Sequence, residues 1–103
     1  MKTEESFLTN LTKLYVLVAL NKSPRHGYEL MADFFKVTGK KLSAGQIYPL
    51  LNNMQKKGYV AVRLAYEGER ERKIYGLTDE GREFYRVILA QLGELLSYGG
   101  IRM

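Results

Sequence analysis

The chain has 103 residues, of which 46% are hydrophobic and 26% are charged, and it contains two prolines and no cysteine. This length predicts one domain over residues 1–103 with a modest core, and the composition is typical of a folded chain. The absence of cysteine excludes disulfides, thiolate metal sites and thiol redox chemistry. The formal net charge of +5 favours an acidic partner without identifying it.

The longest apolar run, from Leu14 to Leu20, is seven residues, whereas a membrane-spanning helix needs about twenty. The first residues include Glu4 and Glu5, where a signal peptide would be basic. We therefore expect a cytoplasmic protein.

Positive charge is concentrated in the middle third of the chain. Between Lys36 and Lys73 there are nine Lys and Arg residues against three Glu residues, whereas the remainder holds seven bases and eight acids. A surface that faces phosphates requires such an excess, although a solubilising surface would also show it.

The first two predicted elements are helices. Apolar residues recur at helical spacing from Ser6 to Leu20 and become nearly continuous towards the end, which predicts a helix buried on most sides. The segment 21–24 ends it. A second amphipathic helix is predicted over 27–37, and Gly39 is a natural C-terminal stop.

A third helix is predicted from Ala44 to Lys57. Ser43 is a good N-cap, Gly58 closes the helix, and its apolar face consists of Ile47, Leu50, Leu51 and Met54. Pro49 lies in the first half of the helix, where we expect a slight bend but no break.

Two strands are predicted over 59–64 and 73–77, and the charged tip between them contains Gly68. Thr78 then caps a final helix that continues to about Tyr98, with acids in its first turn. Three helices followed by a hairpin predict a mainly α winged helix-turn-helix fold over 1–77. The last helix, 78–98, is expected to serve in dimerisation.

The outward face of the third helix suits DNA. Asn and Gln side chains pair bidentately with adenine, Tyr and Lys reach phosphates, and Ser43 with the first free backbone amides can hold a phosphate. Small residues at the helix start allow a close approach to a backbone. The alternative is an ordinary solvated polar surface. The candidate DNA-binding residues on this helix are Ser43, Ala44, Gly45, Gln46, Tyr48, Pro49, Asn52, Asn53 and Lys56.

The hairpin offers Arg70, Arg72 and Lys73 for phosphate or minor-groove contacts. Acids at 67, 69 and 71 alternate with these bases, and residues that alternate along a strand point to opposite faces. An exposed ribbon of salt bridges is therefore the alternative.

No catalytic or metal-binding constellation is found in the sequence. His26 is the only histidine, and the serines lack a His–Asp partnership. No glycine spacing resembles a phosphate-binding loop. We therefore expect a protein that is not an enzyme, with no metal and no cofactor, and we assign a structural role to His26.

The last helix has a wide apolar stripe, which indicates a partner helix. We expect it to form a homodimer interface together with the first helix, although packing on its own domain is the alternative. The candidate interface residues are Phe7, Leu8, Leu11, Tyr85, Ile88, Leu89, Leu92, Leu95 and Leu96.

Three separated segments resemble the PadR family of bacterial and archaeal regulators. They are HGYEL (26–30), LSAGQIYPLL (42–51) and RKIYGLTDEG (72–81), and their order and spacing agree with the family. The resemblance implies a homodimer whose third helices enter successive major grooves of a pseudopalindromic operator, with the hairpin as a wing. It also implies repression of nearby genes, which a small ligand usually relieves.

The chain departs from the family in two respects. Residues 52–55 are uncharged, so operator preference is not carried over, and there is no tryptophan of the kind that holds planar ligands at the dimer centre of some members. The short sequence after Tyr98 resembles the branch without an extended C-terminal domain. The competing function is a winged-helix adaptor that binds proteins without DNA; such an adaptor would expose an apolar patch on the third helix.

Overall fold

The computed structural model describes the backbone of residues 2–102 and the side chains of residues 10–102. In chain order the elements are α1 (Lys2–Lys22), β1 (Arg25–His26), α2 (Gly27–Thr38), α3 (Ala44–Lys56), β2 (Val60–Glu67), β3 (Arg70–Leu77) and α4 (Asp79–Tyr98). The predicted order of helices and hairpin strands is confirmed. In this part of the chain no helix is both long and apolar enough to span a membrane.

The helix-turn-helix is formed by α2 and α3, and polar side chains define where each helix begins. The His26 N–H donates to Glu29 Oε1 at 2.8 Å, and the Ser43 N–H donates to Gln46 Oε1 at 2.9 Å. Gly39 ends α2 in the left-handed region, with φ of 73°, and its N–H donates to the Phe35 carbonyl. Glycine adopts this conformation without the cost that a Cβ imposes. The helix α3 runs through Pro49 without a break, as expected.

The sheet is antiparallel and has the strand order β1-β3-β2. The hairpin of β2 and β3, which we call the wing, pairs from Val60 opposite Leu77 to Glu67 opposite Arg70. Both strands therefore continue three residues nearer the tip than predicted. The two-residue strand β1, in which His26 lies opposite Ile74, was not predicted from the sequence.

The core joins α1, α2, α3 and the base of the wing. Tyr15 reaches it from α1, and its hydroxyl donates to the Leu30 carbonyl at 2.7 Å. Burial raises the pKa of the Tyr15 phenol, and the nearby Asp33 adds to this effect. The buried residues are Val16, Leu17, Ala19, Leu20, Leu30, Leu42, Ile47, Leu50, Leu51, Met54, Val60, Tyr75 and Leu77.

The helix α4 is fastened to the rest of the domain by its first turn. The Thr78 N–H donates to the Tyr59 carbonyl at 3.1 Å, and the Thr78 hydroxyl donates to the Gly58 carbonyl at 2.6 Å while accepting from the Gly81 N–H at 2.9 Å. The rings of Tyr59 and Phe84 stack at 4.3 Å. Gly81 packs directly on the Tyr59 carbonyl, and a Cβ there would overlap the oxygen and lie 3.0 Å from the carbonyl carbon.

Beyond this turn, Phe84 and Tyr85 of α4 also pack against the core. Gly81 is the one fully buried residue among the 20 positions of this helix. The described chain is elongated, at 52 × 31 × 24 Å, and its radius of gyration of 14.8 Å exceeds the value of about 13 Å that a compact chain of this length would have. On the apolar stripe of α4, Leu89 and Leu95 are exposed, whereas the other apolar residues are half-buried.

Candidate nucleic-acid interface

The outer face of α3 is polar and open to solvent. Gly45, Pro49, Asn52 and Lys56 are all exposed, and they lie opposite the buried side of the helix. The period of 3.6 residues that places Ile47 and its neighbours in the core turns these four residues outward. The structure therefore places the centre of the predicted surface as the sequence indicated.

The first turn of α3 forms an exposed edge of this face. A Cβ at Gly45 would meet only the Ser43 hydroxyl, at 3.9 Å, so the space beside the backbone is open. The amides of Ala44 and Gly45 have no acceptor within the helix. The Gln46 side chain is held by Ser43, whose N–H and hydroxyl both donate to its Oε1. The side-chain N–H groups of Gln46 therefore remain available to a partner.

Tyr48 lies on the inner flank of α3, although the sequence suggested an outward position. Its ring is half-buried, its centroid is 6.5 Å from that of Tyr75, and it packs on Gly27 at the start of α2. A Cβ at position 27 would lie 2.7 Å from the Tyr48 hydroxyl oxygen. Gly27 thus leaves room for the Tyr48 ring between α2 and α3. A helical wheel of α3 alone gives no signal for this long-range pair.

Asn53 is exposed on the other flank of α3. It lines a cavity of about 300 Å³ between α1, α3 and α4, together with Lys13 and Lys57. This position separates it from Asn52, which lies on the outer face.

The three basic residues predicted for the wing do not share one face. Lys73 alternates with Tyr75 and lies on the side of the wing that continues into the core, whereas Arg70 and Arg72 lie on the opposite side. Arg70 and Lys73 are exposed. Arg72 is half-buried, and its Nε is 3.3 Å from Glu67 Oε1. Arg72 is therefore held by an acid, as the salt-bridge alternative anticipated.

Two exposed wing residues were not identified from the sequence. Leu64 lies opposite Lys73, and Tyr66 lies opposite Glu71, on the same face as Lys73. Both are more than half exposed. The apolar alternation at 62, 64 and 66 could have revealed both residues. It was missed because the strand was predicted to end at 64.

The outer side of α2 carries an exposed apolar patch formed by Tyr28 and Phe35, which lie two turns apart, whereas Val37 is exposed on the other side of the helix. Tyr28, Phe35 and Val37 are 69%, 51% and 75% exposed. A groove of about 380 Å³ runs beside Tyr28 and Phe35 towards Lys41 and the start of α3.

The candidate dimer residues fall into three groups. Leu11, Leu89 and Leu95 are exposed by 51%, 40% and 65%. Ile88, Leu92 and Leu96 are half-buried, and Tyr85 packs against the core of its own domain. Phe7 and Leu8 lie outside the residues whose side chains the structure describes.

Together, the helix-turn-helix, the three-stranded sheet and the exposed polar face of α3 define a winged helix-turn-helix protein. The chain belongs to the PadR-like family of transcriptional regulators, whose family model matches residues 16–87. The members and relatives are regulators, which confirms the expectation that the chain is not an enzyme.

Three relatives illustrate the similarity. The negative transcriptional regulator PadR of Bacillus subtilis (strain 168) is 34% identical over 74 residues, which are 69% of this chain and 41% of that protein. The crystal structure of a PadR-like transcriptional regulator from Bacillus cereus is 27% identical with a TM-score of 0.81, over 92% of this chain and 93% of that chain. The structure of Bacillus subtilis PadR in complex with operator DNA is 29% identical with a TM-score of 0.70, over 77% of this chain and 45% of that chain. The chain thus spans about two fifths of the curated relative.

Proposed function

We propose that this chain is a dimeric, sequence-specific DNA-binding repressor in which α3 enters the major groove and the wing contacts the adjacent backbone. The observation that carries the proposal is the exposed, polar outer face of α3. The B. subtilis relative that was crystallised with operator DNA supports it. Access to the chromosome places such a protein in the cytoplasm.

Each part of the α3 face has a chemical role in this proposal. The Asn52 amide reads adenine through one donor and one acceptor, which is a base contact that specifies sequence. Lys56 and the free amides of Ala44 and Gly45 bind phosphates, which are contacts that position the protein. On the wing, Arg70 and Lys73 supply further cations, whereas Arg72 is already paired with Glu67.

Exposed leucines on α4 and α1 support a homodimer. Leu89 and Leu95 are exposed on a helix with a single buried residue, and Leu11 of α1 is exposed as well. Apolar area of this extent is normally covered by another chain. A two-fold dimer would place two reading helices about 34 Å apart on a pseudopalindromic operator.

The proposal also covers the repression of genes and the release of the protein from its operator. The B. subtilis relative is a negative regulator, and we assign the same sign of control to this chain. Release by a small ligand is proposed from the family resemblance alone.

The test is footprinting on DNA from upstream of the protein's own gene, with the affinity measured at several salt concentrations. We expect a protected site and an affinity that falls steeply as salt rises, because bound phosphates release counterions. The absence of a footprint at low salt would contradict autoregulation.

Two variants test the reading face. We expect Asn52→Ala to weaken operator binding by about 1–3 kcal/mol and to relax sequence preference, and Arg70→Ala to weaken binding evenly on all sequences. Arg70 is a suitable control because it is exposed at the wing tip. An equal and sequence-independent loss from both variants would refute the assignment of Asn52.

A protein-binding adaptor remains the second candidate because of the apolar patch on α2. Tyr28 and Phe35 are the exposed residues that would serve it. The outer face of α3 itself adds no large apolar side chain to this patch. Normal operator binding by Tyr28→Ser and Phe35→Ser variants would separate the patch from the DNA-binding function.

A further inference from the structure

A cluster of four charged or titratable side chains links the start of α2 to the tip of the wing. His26 Nε2 lies 3.7 Å from Glu29 Oε1 on α2 and 3.7 Å from Glu67 Oε1 on β2. Glu67 Oε1 is also 3.3 Å from Arg72 Nε on β3. One carboxylate of the wing therefore faces both an imidazole from the helix-turn-helix and a guanidinium from the opposite strand.

The two nitrogen-bearing side chains of this cluster are sheltered, whereas Glu29 and Glu67 are 53% and 62% exposed. The side chains of His26 and Arg72 are only 20% and 27% exposed. Within the described residues, neither His26 Nδ1, which faces the Glu29 backbone N–H, nor Arg72 Nε makes a hydrogen bond of good geometry. At 3.7 Å, His26 Nε2 is beyond hydrogen-bond distance of either carboxylate. The arrangement can therefore tighten if the imidazole gains a proton.

The charges of the cluster are unbalanced while the imidazole is neutral. Glu29 and Glu67 carry two negative charges and Arg72 carries one positive charge, so a protonated His26 makes the cluster neutral. The remaining charges nearby are Arg25, which is paired with Asp33 at 2.5 Å, and Arg63 and Arg70, which lie on the same face of the wing as Glu67. Imidazole is the side chain that ordinarily changes charge between about pH 5 and 8.

We propose that Glu67 is a positioning residue that, through His26 and Arg72, latches the wing to the start of α2, and that a proton on His26 closes this latch. His26 is adjacent to Gly27, on which Tyr48 of α3 packs, so the latch sets the wing relative to the reading helix. The consequence for operator binding rests on the function proposed above. Affinity is then higher when the imidazole carries a proton.

The latch is tested first without DNA. His26 is the only histidine of the chain, so its NMR signal is unambiguous. We expect the backbone amides of 67 and 68 to shift with the same midpoint as the imidazole, and Glu67→Gln to abolish this common titration. Glu69→Gln is the matched control, because it removes the same charge from an exposed residue of the same tip. Backbone amides of the wing that do not shift with the same midpoint as the imidazole would overturn the proposal.

The second test measures binding to the footprinted operator at about pH 5.5 and 8. We expect the wild type and Glu69→Gln to bind about two- to fivefold more tightly per protomer at the lower pH, as for a partly exposed ion pair. Glu67→Gln should lose this difference. A difference that persists in Glu67→Gln reflects net charge alone and refutes the latch. If no DNA binds at either pH, the proposed function fails, and the titration without DNA still decides the latch.

Discussion

Replacing Gly81 with alanine tests how α4 is attached to the domain. The first turn of α4 packs directly on the backbone of Tyr59, and the new Cβ would overlap the Tyr59 carbonyl. Because the obstacle is backbone and not a flexible side chain, the helix start must move outward. That movement separates Thr78 from the carbonyls of Gly58 and Tyr59 and unstacks Tyr59 from Phe84.

The expected cost follows from these contacts. Two hydrogen bonds are each worth about 1 kcal/mol, and the stacked aromatic pair adds about 0.5–1.5 kcal/mol. The higher helix propensity of alanine offsets about 1 kcal/mol of this loss of stability. We therefore expect Gly81→Ala to lower the free energy of unfolding by about 2 kcal/mol.

The matched control lies on the same helix. A Cβ at Gly93 meets nothing within 4 Å, so Gly93→Ala should stabilise the protein by about 0.5–1 kcal/mol through helix propensity alone. Both variants are measured by urea unfolding at one fixed protomer concentration, since association is linked to stability. Our account of the anchor fails if Gly81→Ala unfolds at the wild-type midpoint, or if Gly93→Ala is equally destabilised.

Three further outcomes are expected. Leu95→Asp on α4 should weaken self-association, measured by sedimentation, at least tenfold, because Leu95 is 65% exposed. Val37→Asp on α2, where the residue is 75% exposed, should leave self-association unchanged. Equal effects of the two variants would show that α4 is not part of the interface. Burial raises the pKa of Tyr15, so the folded state keeps the phenolic proton to higher pH than the unfolded state. The stability that the protonated Tyr15 contributes to the folded state is complete below about pH 10 and is lost as pH rises further. Tyr15→Phe should therefore show a smaller loss of unfolding free energy between pH 9 and 11, about the range in which tyrosine ionises, and an unchanged loss would contradict this reasoning. Gly27→Ala should displace Tyr48 and weaken operator binding more than it lowers the melting temperature, and an unaltered operator affinity would show that the ring adapts freely.

The helices were predictable because each carries its own local signals. Amphipathic spacing and caps place α2, α3 and α4 within a residue of their observed bounds, as Ser43 and Thr78 illustrate. The outer face of α3 was predictable for the same reason, because the position of the buried stripe on a helix determines which residues lie on the exposed face opposite it.

The features that the sequence did not reveal depend on distant partners. Arg25 and His26 form a strand only because β3 offers them an edge to pair with, and two residues carry no periodicity of their own. The wing extends to Glu67 and Arg70 because cross-strand pairing outweighs a charged composition that locally indicates a loop. The inward position of Tyr48 and the pairing of Arg72 with Glu67 likewise follow from contacts between elements.

The tight packing of α4 at Gly81 makes the angle of this helix sensitive to that one position. Twenty residues span about 30 Å, so a tilt of about 5° at Gly81 would move the far end by roughly 2.6 Å. In the proposed dimer that end lies against the partner, and the tilt would change the separation of the two reading helices by a comparable distance. Operator half-sites have a fixed spacing, so small changes of angle at one glycine would select between operators whose half-sites differ in separation.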